Sequence, residues 1–163
     1  MKKKNYILTL FALVFISIQN NFAQTQIPNA GFENWTDSTH AVSWNSINEV
    51  YGNPPLAIYI QSLKRTTDKY TGNYAAKLQT VYLPLIQTTV PGFANLGNLD
   101  MINMEINGGI PINAKPTKFK GWYKYNSVSG DTMMIAAVLY KFNQTTGVSE
   151  EIGYAMLMNN TTV

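Results

Sequence analysis

The chain has 163 residues, with 12 basic and 9 acidic side chains, one histidine and no cysteine. Without cysteine there is no disulfide framework and no thiolate zinc site, so a packed core must hold the fold. The whole basic excess lies in Lys2, Lys3 and Lys4. The remainder is formally neutral, and its only adjacent basic pair is Lys64-Arg65, which argues against nucleic acid or an anionic membrane as a partner.

Those three lysines open a leader. The apolar run Tyr6–Ile16 follows them, then a polar stretch that ends in Phe22-Ala23-Gln24. A basic head, an apolar run and a small residue at the cleavage point are the marks of a secretory signal, here residues 1–23, with cleavage after Ala23. The run is well short of the ~20 apolar residues that cross a bilayer, so no transmembrane segment is expected. The mature chain, 24–163, is read as one exported domain working in the periplasm, at the cell surface or as a secreted protein.

Beyond the leader, helix signals are sparse and Asn, Gly, Thr and Pro punctuate the chain, as at Gly52-Asn53, Gly72-Asn73, Asn107-Gly108 and Ser129-Gly130-Asp131. That texture predicts strands joined by turns. In order, strands are expected at 57–63 and 74–83, a long loop at 91–100, and an alternating strand at 117–126. The alternation sets Phe119, Gly121, Tyr123 and Tyr125 on one face and Lys118, Lys120, Trp122 and Lys124 on the other. The short link 127–130 predicts a hairpin between 117–126 and the apolar strand 131–142, which reads as buried on both faces. A turn at 143–147 leads to a last strand at 151–158. The fold class is therefore all-β, a two-sheet antiparallel sandwich.

Three stretches carry a resemblance. Gln26-Ile27-Pro28-Asn29-Ala30-Gly31-Phe32-Glu33-Asn34-Trp35 with Trp44, then Tyr70-Thr71-Gly72-Asn73-Tyr74-Ala75-Ala76-Lys77-Leu78, and then Gly108–Pro116 leading to Gly121-Trp122-Tyr123-Lys124-Tyr125 and Gly130-Asp131 together resemble the PCMD-like carbohydrate-metabolism domain of exported Bacteroidetes proteins. More loosely, they are similar to calcium-binding jelly-roll carbohydrate-binding modules. The sequence departs from the family pattern at Ile112 and Lys115, where an aromatic residue and an arginine are usual. The resemblance implies a sandwich of jelly-roll type. Jelly rolls use eight strands, and the strands legible here fall short, so an uncovered apolar strand or open edge, and a domain incomplete at its C-terminus, are expected.

The resemblance also implies a structural calcium ion. Glu33 would be its leading ligand, with Asp37, Asp68 and the carbonyls around Thr71 and Gly72. Calcium takes six to eight oxygens, and the alternative for each carboxylate is a solvated or lysine-paired side chain. For glycan binding, flat sugar faces stack on aromatic rings, and Trp35, Trp44, Tyr51, Tyr59, Trp122, Tyr123 and Tyr125 offer them. The alternative is that these rings fill the core, which suits Tyr123 and Tyr125 best.

Catalytic types are scarce. His40 stands alone, no serine sits in a nucleophile elbow, and sequence does not place Glu49, Asp100, Glu105 and Glu150 relative to one another as an acid/base pair needs. The reading that results is a non-catalytic carbohydrate-binding module with a glycan or polysaccharide as partner. Behind it stand a structural or adhesion module with a cell-envelope protein partner, and last a carboxylate-dependent hydrolase or lyase.

Overall fold

A computed structural model of the chain describes residues 27–163, apart from residues 52, 54, 56 and 101–104 and the side chains of Val50, Tyr51 and Glu105. The leader and its cleavage bond, the Gly52 turn and the Tyr51 ring lie outside the described residues. Among those described there is no helix. The chain is all-β, with antiparallel strand pairs consistent with a β-sandwich.

The strands are β1 (Glu49–Tyr51), β2 (Ile58–Ile60), β3 (Leu63–Thr66), β4 (Ala75–Leu78), β5 (Val81–Leu83), β6 (Thr88–Val90), β7 (Asn98–Asp100), β8 (Glu105–Asn107), β9 (Met133–Asn143) and β10 (Val148–Asn159). Each ladder joins two consecutive strands, and the long-range pairings of a jelly roll are not among them. The chain divides into two compact units, Met1–Thr67 with Asn73–Ala114, and Asp68–Gly72 with Lys115–Val163.

In the first unit the strands are short, three or four residues each, and the core is small. Ile47, Ile60 and Leu83 are buried together, with Ile58, Val81, Val90, Phe93 and Leu99 packed against them. The most deeply buried side chains are Ser62 and Leu63, at the corner between β2 and β3. Burying a polar corner is costly unless its backbone groups find partners, and Asn48 supplies them. Its Oδ1 accepts from the Ser62 N–H (2.8 Å) and the Leu63 N–H (3.0 Å), while its Nδ2 donates to the Thr39 carbonyl (2.8 Å) and the Leu63 carbonyl (2.6 Å).

The strand expected at 74–83 is divided at Gln79-Thr80. The Gln79 N–H still meets the Ser62 carbonyl at 2.9 Å, one step beyond the last pair of the β3–β4 ladder, and the chain then pairs β5 with β6. Gly92 makes this close approach possible, because a Cβ there would lie 2.5 Å from the Gln79 nitrogen. The loop expected at 91–100 holds as far as Gly97 and ends in β7.

In the second unit β9 and β10 form a long hairpin. The Asn143 side chain accepts from the Thr145 and Thr146 amides, and Gly147 takes the left-handed conformation (φ 68°) that the turn requires. A β-bulge at Ile152 shifts the register, so that Glu151 faces Tyr140 and Gly153 faces Leu139.

Two expectations are corrected here. Residues 131–142 are not buried on both faces: Met134, Val138, Tyr140 and Phe142 are exposed, and among the described residues β10 is the only strand that pairs with β9. The expected uncovered apolar strand is therefore present. Nor do residues 117–126 form a ladder with β9. The 128–131 turn does close, with Ser129 and Gly130 both at positive φ and the Asp131 N–H on the Val128 carbonyl. Beyond it, however, Tyr125 exchanges two backbone bonds with Val163 (3.1 and 2.8 Å), and Lys124 and Trp122 are held by side chains of 68–70.

Removing the Asn48 amide leaves two buried N–H groups and two carbonyls without their partner. Asn48→Ala is expected to cost about 3 kcal/mol, read as a lowered midpoint in chemical denaturation. Asn48→Asp should also destabilise, since a carboxylate cannot donate to the Thr39 and Leu63 carbonyls. Gly92→Ala should cost about 2 kcal/mol by forcing the 79 and 92 backbones apart.

Candidate functional site

The N-terminal segment of the first unit is shaped by Asn29, whose left-handed backbone (φ 47°) turns the chain. Its side chain donates to the Asn34 and Val42 carbonyls and accepts from the Asn34 N–H. The turn folds Phe32 between two tryptophans, with ring centroids 4.7 Å from Trp44 and 6.4 Å from Trp35. Both indole N–H groups are satisfied locally, Trp35 by the Phe32 carbonyl and Trp44 by the Asn29 carbonyl. Trp35 and Trp44 are half-buried residues of this small aromatic cluster.

The Glu33 carboxylate reaches the start of β4 and accepts from the Asn73 N–H (2.9 and 3.0 Å) and the Tyr74 N–H (3.3 Å). The Arg65 guanidinium covers the next ring, 4.5 Å from the Tyr74 centroid. Asp37 closes the 36–40 turn. One of its oxygens accepts from the Thr39 N–H (2.6 Å), the Thr39 hydroxyl (2.8 Å) and the His40 N–H (3.0 Å), and the His40 ring nitrogen Nδ1 lies 2.8 Å from the other. The Thr39 donors, with His40 adding to them, hold Asp37 down at about 2. Beside this turn is a shallow hollow of about 130 Å³ lined by Thr39, His40, Asn48, Glu49, Tyr59 and Gln61, with Tyr59 exposed at its rim.

The second unit carries the most open aromatic surface. Trp122 and Tyr70 stack with centroids 3.9 Å apart and planes 20° from parallel, and they remain 74% and 66% exposed. Two residues along each segment, Lys124 Nζ binds both oxygens of Asp68 at 2.7 and 2.9 Å. These two contacts fix Trp122 and Lys124 on the same side of the chain, facing residues 68–70, as the alternation of 117–126 implies.

Tyr123 and Tyr125 have the opposite parity. Tyr123 is exposed, and Tyr125 is half-buried with its hydroxyl donating to Asp131 at 2.6 Å. Partial burial, and then that bond, raise the Tyr125 phenol above its ordinary range. The same bond, together with the Val128 N–H, lowers the Asp131 carboxyl. Tyr125 thus secures the 127–131 turn.

The residues expected to hold calcium are engaged otherwise. Both Glu33 oxygens face backbone N–H donors, which is an environment for an anion and not for a cation's ligand shell. Asp37 serves its own turn, and Asp68 is paired with Lys124. Gly72 stands at positive φ (73°) in an exposed turn. No group of three His, Cys, Asp or Glu that could hold a metal ion occurs among the described residues. The donors around these carboxylates do not fit the ion. For the enzyme reading, register places Asp100 opposite Glu105, and the Glu105 side chain lies outside the described residues.

Sequence reasoning missed Tyr70 as the partner of Trp122. The signal was present in the spacing: Asp68 and Tyr70 are two apart, as are Lys124 and Trp122, so one ion pair and one stack can form together across two antiparallel segments.

Two outcomes follow. Asp37 is acidified on folding, so its contribution is present above the ordinary carboxylate value of 3.8 and is lost as pH falls through about 2. The Thr39 and His40 amide shifts should therefore move with a midpoint near 2, and a midpoint near 4 would contradict the turn geometry. Glu33→Ala should lower the melting temperature equally in excess calcium and in chelator, because the carboxylate acts on amides.

No family model matches the chain, nor does any curated protein or solved structure.

Proposed function

We propose that the mature chain is an exported, non-catalytic glycan-binding β-sandwich module, with Trp122 and Tyr70 as its binding platform. The observation that carries this reading is the exposure of the stacked pair. Burial of aromatic area is a large favourable term, yet these two rings are left open to solvent, stacked on each other and fixed beside an ion pair. A sugar ring has an apolar C–H face, which suits the open face of the indole, and hydroxyls that suit the Lys124 and Asp68 groups at its edge. The resemblance of 26–35, 70–78 and 108–131 to carbohydrate-associated domains supports the same reading, and so does the leader that precedes them.

A second reading, a structural or adhesion module of the cell envelope, is favoured by a different feature. One face of the β9–β10 hairpin presents Met134, Val138, Tyr140, Tyr154, Met156 and Met158, all exposed, and patches of that kind on soluble proteins mark interaction surfaces.

A pull-down on insoluble polysaccharides together with a glycan array separates the two readings. Trp122→Ala and Tyr70→Ala should each weaken glycan retention about tenfold, which corresponds to ~1.4 kcal/mol of lost aromatic contact, while circular dichroism shows the fold retained. Retention unaffected by both variants, or no retention on any glycan, would sink the platform.

A further inference from the structure

The lysines around the platform bear on the kind of glycan. Four of them, Lys115, Lys118, Lys120 and Lys124, fall between residues 115 and 125 with no acidic residue among them, in a chain whose mature part is neutral. All four are exposed. Lys118 and Lys120 share the parity of Trp122 and Lys124, and the contacts to Tyr70 and Asp68 establish which side the last two occupy.

Lys124 has its counter-charge in Asp68, whereas Lys118 and Lys120 have no ion-pair partner among the described residues. The neutral average of the mature chain therefore conceals a locally basic segment, 115–124, that runs up to an open aromatic stack. A segment of this kind attracts a repeating anion whose spacing follows an extended backbone, and the open rings give that polymer an apolar face to rest on.

We propose that the platform is selective for an acidic polysaccharide, one bearing carboxylate groups along the chain, with Trp122 and Tyr70 stacking a sugar ring and Lys118 and Lys120 meeting the carboxylates of neighbouring residues. This rests on the glycan-binding reading of the same surface and goes beyond it in naming the charge class of the ligand. The preference over nucleic acid comes from scale: two uncompensated lysines and one stacked pair make a short footprint, whereas duplex binders neutralise many phosphates with a broad basic face.

Affinity electrophoresis of the purified chain tests the proposal in gels containing polygalacturonate, or the same polymer fully methyl-esterified, which removes the charge and keeps the backbone. The expected result is strong retardation by the acid form, weak retardation by the ester, and loss of the difference between about 50 mM and about 500 mM NaCl. The double variant Lys118→Gln/Lys120→Gln should weaken binding to the acid form about fivefold and leave the ester unaffected, while Trp122→Ala should weaken both.

Equal retardation by acid and ester would overturn the charge selectivity and leave the glycan reading standing. Retardation by neither, on this pair and on the wider array, would overturn both. Equal affinity for oligothymidylate would overturn the proposal in favour of a general polyanion site. Because the lysines are exposed, a circular-dichroism melt that matches the parent chain shows that a loss of binding is not a loss of fold.

Discussion

A single carboxamide, that of Asn48, decides whether the first unit can close. The corner between β2 and β3 buries Ser62 and Leu63 completely, and a buried corner leaves backbone donors and acceptors facing no strand. Asn48 answers with an acceptor and two donors at once, reaching Thr39 on one side and Ser62 and Leu63 on the other. No other side chain of that size offers both functions in one plane, which is why neither Asp nor Leu would serve. The bonds also set the place of the 36–40 turn, because Thr39 is one partner and the neighbouring Ser38 carbonyl accepts from the Arg65 N–H. With so few buried apolar residues, the unit depends on polar groups for a rigidity that a larger core would provide by packing.

The second unit solves the opposite problem. It has ample apolar surface and little to cover it, and its order comes from side-chain pairs at the margins of the hairpin: Asn143 in one turn, Asp131 in another, and Asp68 with Tyr70 against Lys124 and Trp122. Exposed ion pairs contribute little on their own. Here the pair matters as a positioning device, since a lysine held beside a tryptophan presents charge and aromatic face in a fixed relation. That relation gives the surface chemical character, whereas either residue alone would be an ordinary solvated side chain.

Much of the fold was legible because turn chemistry is local. The Gly72-Asn73 and 143–147 turns, the long apolar strand and the final strand all follow from residues within reach of one another. Pairing beyond the turn was less legible. Residues 117–126 alternate as a strand should, and the 127–130 link closes as a hairpin turn should, yet the ladder is not made, because Val163 competes for Tyr125 and residues 68–70 compete for its neighbours. The site divides in the same way. Trp122 was marked by its position among lysines, which is a sequence property, and Tyr70 came to light only as its spatial partner. Trp35 and Trp44 are candidate ligand residues by sequence because they are aromatic and belong to the opening motif that carries the resemblance. Their indole N–H groups turn inward to Asn29 and Phe32, a preference that composition does not carry. Counting adjacent basic residues also concealed the four lysines of 115–124, which are separated from one another in sequence by uncharged residues.

The bulge at Ile152 has a consequence of another kind. By adding one residue it resets the phase of β10, so that Tyr154, Met156 and Met158 stand opposite Val138, Ala136 and Met134, while Ala155 and Leu157 stand opposite Ala137 and Ile135. The two halves of the strand, 148–151 and 153–159, therefore present opposite sequence parities to the same face, Ser149 and Glu151 before Ile152 and Tyr154, Met156 and Met158 after it. Substitutions along this strand alter a single side chain at a time. Loss of the bulge residue itself would leave a regular ladder with every pairing kept, whereas loss or gain of a residue elsewhere in the strand would exchange the inner and outer sets on one side of the change, so the hairpin tolerates drift in its letters far better than a change in their number away from the bulge.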